Sequence, residues 1–323
     1  MSVLIPSSRR RSSSELYDRI DLGHGDRSAK RSAYWTMLVL SGVIATAGVI
    51  ADSTATVIGA MIVAPLSTPI LAVGLGIVSG RLSLVGRSLL YVAASVAAVV
   101  AIGYLVALVL PNPTNVLANS QVTGRVSPTL TDLAAAVATG FAGAIAIARR
   151  DVGDVLPGVA IAISLVPPLG VVGVCLGSGE PGLALGALIL FASNTVVLII
   201  AAVVVLMAAG YARESAEPPA AAWRGRAYTA LAVAFLAVGI PMTLNTLTSF
   251  WAGQVGSLAE TWLGGTAQAE VGDVTWHGHG LVVEVRSPQG LPDLAELQDA
   301  VNGALPTDPP VTVVHTVGER ITE

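Results

Sequence analysis

Within the apolar run 57–80, VIGAMIVAPLSTPILAVGLGIVSG, Pro65 and Pro69 enclose the hydroxyls of Ser67 and Thr68. A proline inside a helix removes a backbone donor and clashes with the preceding turn, at a cost of about 3 kcal/mol. The chemistry this opens is binding rather than bond-making. Carbonyls and amides released from the helix ladder, with hydroxyls beside them, can pair a polar solute or an ion. A second stretch, GVAIAISLVPPLGVVG, sets Ser164 ahead of Pro167 and Pro168, and Asn194 stands in a third apolar run. Asn194 needs a partner there, which either a neighbouring helix or a solute can supply. Asp52 and Ser53 precede the first stretch, which also contains Gly59. Asp52 reads either as a helix cap or as a cation or proton ligand at the edge of a site. Ser67 and Thr68 either bond their own preceding carbonyls or line the gap that the prolines open.

Enzyme and cofactor chemistry find no support. The chain has no nucleotide-binding loop, nucleophile elbow or zinc-protease helix, and its four histidines all lie outside the apolar segments. His277 and His279 in WHGHG are two metal ligands without a third, and a hairpin turn accounts for them better. Cys175 is the single cysteine. It excludes a disulfide within the chain and reads as a small apolar residue.

These polar groups sit in a chain composed for lipid. Mean hydropathy is +0.73. Charged residues make up 12%, against about 25% in soluble domains. Seven apolar segments are legible, at about 34–51, 53–79, 87–110, 132–148, 153–178, 182–208 and 227–251, each near the roughly 20 residues a span requires. The first is an anchor rather than a removed signal, because its polar leader is long and six segments follow. Most Lys and Arg fall in the leader (Arg9, Arg10, Arg11, Arg19, Arg27, Lys30, Arg31) and in alternate loops (Arg81, Arg87, Arg149, Arg150, Arg213, Arg224, Arg226). That bias places the N-terminus in the cytoplasm and the C-terminus outside the plasma membrane.

Residues 1–33 read as a disordered basic cytoplasmic tail, suited to anionic lipid headgroups and lacking the aromatic platform that nucleic acid would require. The transmembrane domain covers 34–251. Residues 255–323 read as a small extracytoplasmic ββαβ domain, with strands in DVTWHGHGLVVEVRSP and VTVVHTV. Its helix, in LPDLAELQDAVNGAL, places Leu294, Leu297, Val301 and Leu305 on one face.

An offset of 99 residues lays the second segment on the fifth. Gly59, Ile62, Leu66, Pro69, Val73, Gly74, Ser79 and Gly80 meet identical residues at Gly158, Ile161, Leu165, Pro168, Val172, Gly173, Ser178 and Gly179. The same offset pairs segment 1 with 4 and segment 3 with 6, giving repeat A at about 34–110, repeat B at about 132–208 and an extra span at 227–251. Three spans per repeat make the copies inverted across the bilayer. Broken helices at matching places in such repeats point to a transporter site at mid-depth.

The motifs ADSTATVIGAMIVAPLSTPI, SPTLTDLAAAVATGFAGAIAIAR, GVAIAISLVPPLGVVGVCLGSG and FASNTVVLII, in that order, resemble the domain of unknown function 389 family over about 34–205. The resemblance implies a bacterial integral membrane protein, supplies no substrate and does not extend to the C-terminal domain. The expectation is therefore an all-α polytopic protein of the secondary-transporter kind, moving a small polar solute or ion between inverted repeats. The rivals are a channel, and a membrane-embedded sensor or scaffold whose outer domain binds a ligand or partner. No cofactor is called for, the bilayer is the evident partner, and a homo-oligomer is compatible with this architecture.

Overall fold

The computed structural model describes residues 5–6, 8–109, 116–152, 165–214, 220–264, 266, 268–277, 280–288 and 290–317. The chain divides into two compact units, Met1–Met242 and Thr243–Glu323. The first contains α1 (Ser13–Ile20), α2 (Arg27–Ile50), α3 (Thr54–Val63), α4 (Ser67–Ser79), α5 (Leu82–Val109) and α6 (Ser120–Val126). It continues with α7 (Leu130–Ala148), α8 (Val166–Gly177), α9 (Pro181–Ala208) and α10 (Tyr211–Glu214). The long helix α11 (Ala220–Leu263) crosses the boundary. Among the described residues, α2, α5, α7, α9 and Trp223–Leu263 of α11 are long and apolar enough to cross a membrane. The pair α3 and α4 is a sixth candidate, bent by 46° at its break, and α8 is a shorter apolar helix. Of the expected segment 153–178, residues 153–164 lie outside the described residues.

The N-terminal tail differs from the expectation of disorder. Ser12 and Glu15 form a capping box that starts α1, and Leu16, Tyr17 and Ile20 are buried along one side of it. A short amphipathic helix with a satisfied first turn can dock where Ser and Arg content alone suggests mobility. The strand-like stretch before it is also fixed. The Arg11 amide donates to the Ala148 carbonyl at 2.9 Å, and the Arg150 amide to the Arg9 carbonyl at 2.9 Å.

The 99-residue offset recurs in the backbone. Helices α5 and α9 are both 28 residues long, and each begins and ends 99 positions from the other. Helices α4 and α8 begin 99 apart and are followed by left-handed glycines, Gly80 at φ 74° and Gly179 at φ 81°, where a Cβ would be strained. The closing bonds match too. Gly80 N donates to Ile77 O and Arg81 N to Gly76 O, as Gly179 N does to Leu176 O and Glu180 N to Cys175 O. Helix packing repeats the pattern with the partners exchanged. A Cβ on Gly74 of α4 would lie 2.6 Å from Ala202 Cβ of α9, beside Ile199 O and Val203 N. A Cβ on Gly173 of α8 would lie 2.8 Å from Gly103 Cα of α5, beside Val100 O and Tyr104 N. Every member of the second set is 99 positions from its counterpart in the first.

The second unit is the ββαβ fold read from the sequence. Strands β1 (Glu270–His277) and β2 (Gly280–Arg286) form an antiparallel hairpin. Helix α12 (Leu294–Ala304) then returns the chain to β3 (Val311–Thr316), which is parallel to β2. Leu281, Val283, Val285, Leu297, Val301 and Leu305 are buried with Val255, Ala259 and Leu263 of α11. Leu294 departs from its expected role and is 41% exposed. It occupies the first helical position, and the buried face begins at Leu297. Of the two histidines weighed as metal ligands, His279 lies outside the described residues.

Candidate functional site

Pro65 lies in the break between α3 and α4, so no N–H reaches the Met61 carbonyl from the fourth residue on. The Ala60 carbonyl just before it takes two donors, Ala64 N at 3.1 Å and the Ser41 hydroxyl of α2 at 2.8 Å. On the far side of the break the Thr68 amide returns to the Pro65 carbonyl at 3.1 Å. Ser67 and Thr68 occupy the first turn of α4 and are half-buried, and Pro69 is buried at its third position. Pro167 and Pro168 are buried in the first turn of α8. Of these four prolines only Pro65 lies in a break, and residues 158–164 of the second stretch lie outside the described residues. Pro69, Pro167 and Pro168 start helices, where the missing N–H would have had no intrahelical partner.

Both helix starts contribute to one extended apolar core. Leu66, Ile70, Leu165, Val166 and Leu169 share one buried cluster with Leu198, Ala201 and Ala202 of α9. Asn194 is buried within α9, at 7% exposure. Gly59 faces open space, with no atom within 4 Å of where its Cβ would be. Ser164 lies outside the described residues.

Asp52 and Ser53 sit at the other end of α3, about 15 Å of helix away from the break. Ser53 is the N-cap of α3. Asp52, at φ 49°, accepts from the Ser120 hydroxyl at 2.6 Å and from the Gln121 amide at 3.1 Å. It thereby caps the start of α6. The Ser120 hydroxyl, followed by the backbone amides, holds the Asp52 carboxyl below its ordinary range. Around this contact Asn119 donates to the Val49 carbonyl at 2.7 Å, and Gln121 to Thr54 Oγ1 at 2.8 Å.

Sequence reasoning missed the matching contact that closes the end of α7. Val49 and Ala148 are 99 residues apart, and each offers its carbonyl to the segment that precedes the other repeat, through Asn119 and Arg11 respectively. Residues 9–20 and 116–126 are thus a pair of straps, each tied to the opposite repeat. The first is strengthened by Arg150–Glu15 at 2.8 Å and Arg10–Glu214 at 2.6 Å. Arg150 lowers the Glu15 carboxyl from 4.5 to about 2. Arg149 likewise holds Asp151 at about 2, as an ion pair at 2.7 Å. Among the described residues no cluster of three or more His, Cys, Asp or Glu is placed to hold a metal ion.

Several helices long and apolar enough to cross a membrane, one of them a bent pair, are the composition of a helical membrane protein. Residues 61–200 match the family described as Domain of unknown function (DUF389), a segment that includes the Pro65 break, Pro167, Pro168 and Asn194. An uncharacterized protein of Methanocaldococcus jannaschii is 32% identical over 160 residues. The match takes in 50% of this chain and 49% of that one, so the chain spans about half the length of this curated relative. The relative is archaeal, and so the match does not speak for a bacterial origin. No solved structure matches the chain.

Proposed function

We propose that the protein is a secondary-transporter-like carrier, moving a small polar solute or ion between two inverted three-span repeats. The observation that carries this reading is the exchange of partners at Gly74–Ala202 and Gly173–Gly103. A contact from i to j that recurs between the counterparts of j and i is what a two-fold relation between the halves generates. Repeats of that kind, with a broken span at corresponding places, put a site where the breaks meet. Here the residues offered to it are Ser67 and Thr68 beyond the Pro65 break, Pro167 and Pro168 at the counterpart helix start, and Asn194 of α9.

Seven spans with a cytoplasmic N-terminus fit the contacts between loops. Arg11–Ala148, Arg10–Glu214, Arg150–Glu15 and Arg87–Asp21 join segments that this topology assigns to the cytoplasm. Asp52–Ser120 and Val49–Asn119 join segments that it assigns to the outside. The two straps then close opposite faces, and each must release in turn for the site to open there. The reading includes no catalysed reaction.

The test is a thermal-shift screen of small polar solutes on the purified protein, followed by counterflow of each hit in proteoliposomes. Saturable counterflow is the expected result. Conductance without saturation would favour a channel. Folded protein that moves none of the solutes it binds would favour the sensor or scaffold instead.

A further inference from the structure

The N-terminal strap brings together more arginine than it neutralises. Arg10 bonds Glu214 through Nη1 at 2.6 Å and lies 3.8 Å over the Tyr211 ring. Its Nε and Nη2 are nevertheless buried with no hydrogen-bond partner. Tyr211 also donates its hydroxyl to the Arg11 carbonyl at 2.7 Å, which sets Arg11 beside Arg10, and Arg11 Nε is again buried and unpartnered. A third guanidinium has the same deficit, at Arg224 Nε and Nη2. Arg224 shares a face of α11 with Tyr228 and Leu231, one and two turns on. Tyr228 donates to Met207 Sδ at 3.3 Å near the end of α9, four residues before Tyr211. All three arginines therefore belong to the end of the first unit where α9 gives way to α10.

Buried donors without acceptors are costly, and several on guanidinium groups at one end of a molecule are relieved by an anion with several oxygens. Guanidinium edges match a tetrahedral phosphate closely, pairing two oxygens from one side chain. We propose that Arg10, Arg11 and Arg224 hold a phosphate group at this end of the molecule, contributed either by an anionic phospholipid headgroup or by free phosphate. The proposal does not depend on the transport reading.

Binding is measured on the full chain in maltoside micelles, which carry no phosphate, by calorimetric titration at low salt. The two probes are inorganic phosphate and short-chain phosphatidylglycerol. Saturable binding by at least one of them is expected. Arg11→Gln and Arg224→Gln should each weaken it tenfold or more, while Arg226→Gln, on the exposed side of α11, leaves it unchanged. Saturation by the lipid alone assigns a headgroup, and saturation by inorganic phosphate assigns the free ion. Arg224→Gln, remote in sequence from the strap, keeps the test decisive if Arg11→Gln disturbs the fold. No saturable binding of either probe by the wild type, or equal affinity in Arg224→Gln and Arg226→Gln, overturns the proposal.

Discussion

Gly74 and Gly173 are where a single methyl group meets another backbone. A Cβ at Gly173 would fall against Val100 O and Gly103 Cα, and neither is the flexible end of a side chain. Gly173→Ala and Gly74→Ala should each destabilise the fold by about 1–3 kcal/mol, the usual cost of overpacking, seen as a lower melting temperature in detergent. Gly59→Ala should leave stability unchanged or raise it by up to about 1 kcal/mol, since the site is open and alanine favours the helix. The prolines separate in the same way. Pro65→Ala restores an N–H for the Met61 carbonyl and should keep or raise stability while abolishing solute binding. Pro69→Ala, in the first turn of α4, regains no intrahelical bond and should leave both unchanged. The residue types that mark the break were legible in the sequence. Which proline sits in it was not, because a proline at a helix start and one in a helix interior look alike until the helix boundary is known.

The straps depend on partners far away along the chain. Glu15 and Arg150 are 135 residues apart, and Arg10 and Glu214 are 204 apart. The Ser12-x-x-Glu15 box is visible in the sequence as a helix start. A partner 135 residues away leaves no periodicity to read, and so a docked helix passed for a mobile tail. The hairpin and helix of the C-terminal unit were legible because their signals are local, namely alternation, a turn and a spacing of four. Acid should release the N-terminal strap. Arg150 depresses the Glu15 carboxyl from 4.5 to about 2 in the folded state. Its contribution is therefore complete above about 4.5 and is lost as pH falls towards 2. Hydrogen exchange at the Arg11 amide should accelerate over that interval in the wild type. Glu15→Gln should show fast exchange at neutral pH already, with the acid step diminished. An Arg11 amide equally protected in both proteins across the range would detach Glu15 from strap docking.

At the scale of the whole molecule, the lipid-facing composition and the 99-residue offset were both legible before any coordinates. The offset survives as matched helix lengths, matched glycine caps and exchanged glycine contacts. Whether corresponding residues sit on opposite sides of a membrane is a separate question. Leu82 and Pro181 test this most directly. They are the exposed first residues of α5 and α9, counterparts under the offset, and neither forms a strap contact. A single cysteine is placed at each in turn, in a Cys175→Ser background, and intact cells are treated with a membrane-impermeant maleimide. Inverted repeats predict that Pro181→Cys is labelled in intact cells and Leu82→Cys only after permeabilisation. Labelling of both from the same side would contradict the inversion, and with it the carrier built on it.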